Sequence, residues 1–201
     1  MTHKYSSKHR NDKIINGNSS FEEAINGYWI EDFDQRENLD SYLYQMGMDW
    51  FKRSYASSVS WEDELLISIE NDNLMLNGLR GPFAEAYKYS AKLNNQTLND
   101  MDIGDFGGLT KAITEIRDNA MFSYVFKPES TSELFFIVSN RMDMSNVDVL
   151  NVEYRHVSSN VVWKSVFKRS YGDKKTNSKS DKVTVNSDSE FDEWDDDDSW
   201  K

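Results

Sequence analysis

Short runs of alternating apolar and polar residues follow one another along this chain from residue 65 to residue 169. Each run is rich in β-branched and aromatic residues and ends at Asn, Asp or Ser turn residues, as β-strands do. The predicted strands span residues 65–70, 73–79, 83–93, 109–116, 120–126, 132–139, 147–157 and 161–169. Because no helical pattern interrupts these runs, they predict an antiparallel meander that either closes into a barrel or forms a sandwich.

Two helical segments lie between an earlier predicted strand, which starts at Gly27, and this meander. In the first segment four apolar residues recur at i, i+3, i+4 and i+7, the spacing of one helix face. They are Leu39, Tyr42, Leu43 and Met46. Asp34 and Glu37 predict a capping box at the start of this helix, and Gly47 predicts its end. The second helix is expected over residues 49–57, which gives a helix-turn-helix that packs on the strands.

Residues suited to metal or thiol chemistry are few. The 201-residue chain has no cysteine, and His3, His9 and His156 are far apart in sequence. Without clustered ligands a zinc site is not expected, and disulfides are excluded. We therefore expect no metal and no cofactor. The sequence also lacks a Gly-x-Ser-x-Gly elbow and a phosphate-binding loop, so we do not expect an enzyme.

The charge of the chain argues against other classes of partner. Its net charge of -12 and its pI of about 4.7 would repel phosphate backbones and anionic headgroups, so no nucleic acid is expected to bind. Residues 1–13 lack the apolar run of a secretory signal, and no later run has the length needed to cross a bilayer. We expect a soluble, cytoplasmic monomer, for which nuclear entry stays open.

Polar tails flank the strand-rich part, which we assign to residues 21–170. Residues 1–20 are net positive and lack hydrophobic periodicity, which predicts a disordered basic arm. Residues 171–201 are predicted to be a disordered acidic tail, with eight acids and no base between Asp188 and Asp198. Its segment Ser187–Trp200 combines serines among acids with aromatic residues, a pattern that suits binding to a protein partner. The alternative is that this tail only solubilises the protein.

Several short motifs occur in an order known from one protein family. The first strand contains Gly-Tyr-Trp at residues 27–29, and the first helix contains Glu-Asn-Leu-Asp-Ser-Tyr-Leu at residues 37–43. Further motifs lie at residues 89–93, 97–100, 111–114 and 161–169. In this order they resemble the intracellular lipid-binding proteins, the fatty-acid and retinoid carriers of the calycin superfamily. The resemblance implies a mainly β fold, a ten-stranded antiparallel up-and-down β-barrel (β-clam) with a helix-turn-helix lid between the first two strands.

The resemblance also implies where a ligand would bind. In that family an Arg-x-Tyr pair on the last strand, with arginines on neighbouring strands, holds a carboxylate inside the barrel. This sequence has Ser165 and Phe167 at the pair, and Phe136 and Gly108 at the two other arginine positions. Burying a carboxylate without a cation is costly, so we expect a neutral or loosely held ligand. Alternatively, Arg155 points inward as a substitute, or aromatic side chains fill the barrel.

These considerations give two sets of candidate site residues. The candidate cavity residues are Phe136, Trp163, Ser165, Phe167, Arg155 and Tyr124. For the aromatic members, filling the core is the alternative to contacting a ligand. The resemblance implies as portal residues Leu39, Tyr42, Leu43 and Phe83. The alternative for these four is that they only fasten the helices to the barrel.

The charges of the lid predict at most transient contact with membranes. Three acids balance three bases there, namely Glu37, Asp40 and Asp49 against Arg36, Lys52 and Arg53. The predicted function is binding and transport of a small hydrophobic molecule or lipid. The alternative is a barrel that binds no lipid and serves as an interaction scaffold through its acidic tail.

Overall fold

The computed structural model describes residues 20–58, 63–79, 87–93 and 96–171. Its elements are α1 (Phe21–Ile25), β1 (Gly27–Glu31), α2 (Leu39–Gln45), α3 (Trp50–Ser58), β2 (Glu64–Glu70), β3 (Asn73–Leu79), β4 (Tyr87–Lys92), β5 (Asn99–Asp102), β6 (Leu109–Arg117), β7 (Ala120–Phe126), β8 (Leu134–Asp143), β9 (Asn146–His156) and β10 (Val162–Ser170). The tail segment Ser187–Trp200, the candidate portal residue Phe83, and the predicted basic arm apart from Ser20 lie outside the described residues.

Ten antiparallel strands form one sheet that is nearly closed into a barrel. The strand order is β4-β3-β2-β1-β10-β9-β8-β7-β6-β5. Adjacent strands in the sheet are consecutive in sequence, except that β1 also pairs with β10. The end strands β4 and β5 lie against each other. Helices α2 and α3 stand between β1 and β2. The predicted up-and-down barrel and its helical insertion are confirmed.

Alternation along the strands decides which side chains enter the barrel. On β10, Trp163, Ser165 and Phe167 are buried, whereas Lys164 and Lys168 are exposed. A strand places successive side chains on opposite faces, so these two sets are the inner and outer faces. Cross-strand pairing continues the inner face through β9 and β8, because Ser165 pairs with Val152 and Val152 pairs with Asn140.

The chain enters α2 differently from the sequence prediction. Asp34 lies in a 3₁₀ turn over Phe33–Gln35, and the residue before α2 is Asn38, in a left-handed conformation with φ of 61° and no side-chain cap hydrogen bond. The backbone of Glu37 instead exchanges two hydrogen bonds with Lys164, of 2.9 and 3.1 Å. The predicted capping box therefore does not form, because Glu37 pairs with β10 before the helix begins.

The turn predicted over residues 140–146 is present but shorter, over residues 144–145. Strand β8 continues to Asp143 and β9 begins at Asn146, so Asn140 is a strand residue, 3% exposed and on the inner face. The polar residues from Asn140 onward predicted a turn, but the side-chain amide of Asn140 is instead buried inside the barrel.

Helix α1 closes one end of the barrel and was not predicted. Ser20 caps it by accepting a hydrogen bond from the Glu23 N–H, and Phe21, Ala24 and Ile25 are buried. Their spacing of i, i+3 and i+4 is a helical signal, but one turn is too short to stand out in a sequence.

Arg169, at the end of β10, ties α1 to the barrel. Its side chain is 8% exposed and lies over the Trp29 ring, with the guanidinium carbon 4.2 Å from the ring centroid. It donates to the carbonyl oxygens of Ala24, Asn26 and Val147, the last two at 2.8 and 3.0 Å. A Cβ atom at Gly27 would overlap Nη1 of Arg169, and the φ of Gly27 is +150°, so the close approach requires glycine there.

We predict that Arg169→Met lowers the free energy of unfolding by about 3 kcal/mol, because several buried carbonyl groups lose a charged donor. Urea unfolding measures this loss. Lys168→Met is the matched control, since Lys168 lies on the outer face of the same strand with its side chain 63% exposed. Because Lys168 also pairs with Asp32 at 2.7 Å, the control should lose some stability, but far less than Arg169→Met, and an equal loss in both variants would contradict the role of Arg169.

Candidate ligand-binding site

The wall of the barrel interior is mostly apolar. Strands from both halves of the sheet contribute fully buried side chains that point inward. Examples are Leu65, Ile67, Leu74, Met121, Leu150 and Val152. Such an interior suits hydrocarbon and excludes groups that need water.

One ionic cluster interrupts this apolar wall. The Glu31 side chain, on the inner face of β1, has no solvent exposure, and the Arg36 side chain is 6% exposed. Nε of Arg36 donates to Oε1 of Glu31 at 2.9 Å, and Nη2 donates to Oε2, so the guanidinium holds both carboxylate oxygens. Ser165 Oγ also donates to Oε1, and the backbone N–H of Asp63 donates to Oε2 at 3.3 Å. The charge of Glu31 is thus neutralised and hydrogen-bonded within the protein.

Four of the candidate cavity residues lie on the inner face. Phe136, Trp163, Ser165 and Phe167 are 5%, 7%, 1% and 3% exposed, respectively. The structure brings Ser165 against the Glu31 carboxylate. A contact of these residues with a ligand stays a prediction.

Arg155 does not point into the barrel, contrary to one alternative from the sequence. It is exposed on β9, and its Nη1 donates to Oδ1 of Asn160 at 2.7 Å. The residues on either side of it, Tyr154 and His156, take the inner face, so alternation forces Arg155 outward. The polar face of β9 that includes Asn151 and Glu153 is therefore its outer face.

Tyr124 also faces outward, so its placement among the cavity residues is wrong. Its neighbours on β7, Ser123 and Val125, are buried on the inner face. The Tyr124 hydroxyl accepts from Arg117 at 2.8 Å and donates to Glu115 at 3.0 Å. Burial and the Glu115 carboxylate raise the pKa of Tyr124. Gly108, another position taken from the resemblance, lies in the turn before β6 with φ of +70°.

An aromatic cluster joins the lid to the barrel. The rings of Tyr154 and Trp163 stack with centroids 4.2 Å apart, and Tyr42 of α2 packs on Trp163 with centroids 5.8 Å apart. Leu39 and Leu43 are buried on the same helix. These contacts fasten α2 to β9 and β10, and the portal role of the three helix residues stays a prediction.

Helix α3 leaves its largest apolar side chains in solvent. Trp50 and Phe51 are 72% and 70% exposed, and the buried residue of this helix is Ala56. A small alanine lets the helix approach its neighbours closely. Trp50 and Phe51 therefore do not pack on the barrel.

A second set of hydrogen bonds crosses the interior between β4 and β7. The Tyr89 hydroxyl lies 2.8 Å from Thr114 Oγ1, which lies 2.9 Å from Ser123 Oγ. Burial raises the pKa of Tyr89. These hydroxyl groups satisfy one another, so they need no water to be stable in an apolar interior.

Sequence reasoning missed Glu31 and Arg36 as site residues. The signal for Glu31 was present, since it alternates with Trp29 and therefore shares its inward face. Nothing in the sequence indicated that Arg36, which follows a 3₁₀ turn, reaches back to this carboxylate.

We searched the described part of the chain for side chains that could hold a metal ion. There, no three His, Cys, Asp or Glu side chains come together as potential ligands. No helix in those residues is both long enough and apolar enough to cross a bilayer.

Comparison with known proteins shows the fold. No protein-family model matches the sequence, and no curated protein matches it. Among solved structures, the REP1-NXSQ fatty acid transporter is similar at 19% identity, with 74% of this chain and 97% of that chain covered and a TM-score of 0.57.

Two further solved structures share the fold. Apo lipid binding protein 8 of Caenorhabditis elegans is 17% identical, with 74% of this chain and 96% of that chain covered and a TM-score of 0.57. A Schistosoma mansoni fatty acid binding protein in complex with arachidonic acid is 14% identical, with 75% and 99% covered and a TM-score of 0.59. The resemblance inferred from the sequence is confirmed at the level of the fold.

We predict that Trp163→Phe destabilises the protein less than Trp29→Phe. Among the described residues the buried indole nitrogen of Trp163 has no hydrogen-bond partner, whereas that of Trp29 donates to the Ile25 carbonyl at 3.0 Å. Loss of that bond should cost Trp29→Phe about 1 kcal/mol beyond the loss of ring volume common to both. Urea unfolding compares the two variants, and an equal loss would contradict this assignment.

We predict that the protein is less stable in mild acid because His156 resists protonation in the folded state. Burial, with a smaller contribution from Lys127, lowers the pKa of His156 below its ordinary value of 6.5. The unfolded chain therefore binds the proton more readily, and the free energy of unfolding should fall as pH drops through about 6.5. His156→Gln should weaken this pH dependence in urea unfolding between pH 7.5 and 5. Parallel curves for both proteins would contradict the prediction.

Proposed function

We propose that the barrel binds and transports an uncharged hydrophobic small molecule, such as an ester, alcohol, sterol or retinoid. The observation that carries the proposal is the Glu31–Arg36 cluster, in which the buried charge of Glu31 on the inner face is already paired with a cation. The solved structures with this fold bear the names of fatty acid and lipid carriers, which supports a lipid-like ligand.

The interior favours a ligand without a formal charge. Arg36 already gives two donors to Glu31, so an entering carboxylate would have to displace Glu31 or remain buried next to it. Both are costly, because a buried carboxylate without its own cation loses its hydration. An ester or alcohol needs only one or two hydrogen bonds. Inward polar groups such as the Asn140 amide and the Trp163 indole N–H are suited to make them.

We propose a carrier rather than an enzyme because the interior hydroxyl groups are already hydrogen-bonded to one another. The interior hydroxyl groups of Tyr89, Thr114 and Ser123 are hydrogen-bonded to each other, and burial raises the pKa of Tyr89. A hydroxyl in this setting is a poor nucleophile and a poor base at neutral pH. These groups are better suited to maintaining the shape of the interior.

We predict that filling the interior abolishes binding. All-trans-retinol serves as an uncharged fluorescent probe, and Leu76→Trp adds bulk on the inner face of β3, where Leu76 pairs with Ile67 and Tyr89. This variant should weaken retinol binding at least ~10-fold in a fluorescence titration, since overpacked interiors do not expand freely.

The matched control for this titration is the next residue along the strand. Asn77→Trp places the same bulk on the outer face of β3 and should change the affinity less than about twofold. The proposal is contradicted if the protein binds no uncharged lipid of this size. It is also contradicted if both variants bind retinol as tightly as the unmodified chain.

A further inference from the structure

The surroundings of Glu31 form a complete carboxylate-binding site. Its two oxygens receive a pair of guanidinium hydrogen bonds from Arg36, one from the Ser165 hydroxyl and one from the backbone N–H of Asp63. A planar guanidinium and two neutral donors around one carboxylate are what a protein needs to bind a carboxylate ligand. Here the protein itself supplies the carboxylate.

This site faces the barrel interior. Ser165 lies between Trp163 and Phe167 on the inner face of β10, and all three are buried. Ser165 pairs across the sheet with Val152 on β9, and Val152 pairs with Asn140 on β8, so the three side chains form one row on the inner face. A ligand inside the barrel therefore has the Glu31 carboxylate within the wall that surrounds it.

The site also borders the protein surface. Arg36 lines a pocket of about 430 Å³, together with residues of the 3₁₀ turn, the start of α2 and Ser57 of α3. Arg36 thus lies between this surface pocket and the interior carboxylate.

We propose that Glu31 is a built-in carboxylate that occupies the anion site of the barrel and determines that its ligand is uncharged. This inference rests on the proposed function, because it names the residue that sets the ligand's class. A ligand carboxylate meets a site that already holds one, and two carboxylates at one guanidinium repel each other. Removing the Glu31 carboxylate should leave the donors of Arg36, Ser165 and Asp63 in place for a carboxylate from solution.

Chemical rescue tests this assignment. Glu31→Ala opens a space of carboxymethyl-group size beside Arg36, and its melting temperature should lie below that of the unmodified protein. Sodium acetate at tens of millimolar should raise that melting temperature by at least ~5 °C, whereas ethanol at the same concentration should not. Sodium chloride at equal ionic strength controls for screening.

The matched variant for this rescue is Glu31→Gln, which removes the charge but keeps the volume. It should gain nothing from acetate over ethanol, because the amide still fills the site. The proposal is overturned if acetate and ethanol act alike on Glu31→Ala, or if acetate stabilises both variants equally. If Glu31→Ala fails to fold alone, refolding is scored in decanoate against decanol, and failure in both overturns the proposal.

A measurement on the unmodified protein gives an independent test. Methyl oleate should bind at least ~10-fold more tightly than oleate at pH 8, where the acid is ionised. Equal affinity, or tighter binding of oleate, overturns the role of Glu31. If neither methyl oleate nor retinol binds, the proposed lipid-binding function fails, while acetate rescue would still establish the anion site.

Discussion

The ion pair between Glu31 and Arg36 links the barrel to its lid and sets the chemistry of the interior. Glu31 ends β1, Arg36 follows the 3₁₀ turn, Ser165 belongs to β10, and Asp63 precedes β2. Four segments therefore meet at one buried carboxylate. Burying this charge is tolerable only because its donors come with it, and removing one partner of such a pair typically costs several kcal/mol. The positions of all four segments are thus constrained by the need to keep this buried carboxylate hydrogen-bonded.

A second cationic contact holds the opposite end of the same strand. Arg169 lies over Trp29 and donates to carbonyl groups of α1 and of the residues that join it to β1. Strand β1 is thereby fixed at both ends by a buried guanidinium. In one case the guanidinium holds both oxygens of a buried carboxylate, and in the other it donates to carbonyl groups and lies 3.5 Å from the half-exposed carboxylate of Asp148. The interior between these contacts stays apolar, which is the property that an uncharged hydrophobic ligand requires.

Much of the fold could be predicted from local signals. The turn residues and the alternation located eight of the ten strands, and the resemblance located β1 and β5. The spacing of Leu39, Tyr42 and Leu43 located α2 with the face it buries. Predictions failed where a contact distant in sequence overrode the local preference. Glu37 pairs with β10 instead of capping a helix, and Asn140 extends a strand instead of starting a turn. In both cases the hydrogen bonds of the sheet replaced those of the local motif.

The sequence by itself determined that side chains on each strand divide into two sets, and that Ser165 and Phe167 share a set with Trp163. Which set faces inward on β7 and β9 was decided only by the sheet, because alternation has two possible phases and pairing selects one. Pairing turned Tyr124 and Arg155 outward. The hydrogen bond from Ser165 to Glu31 was likewise decided only in three dimensions, since the two residues are 134 positions apart along the chain. A buried charge is stable only where distant segments converge on it, and a linear sequence does not show that convergence.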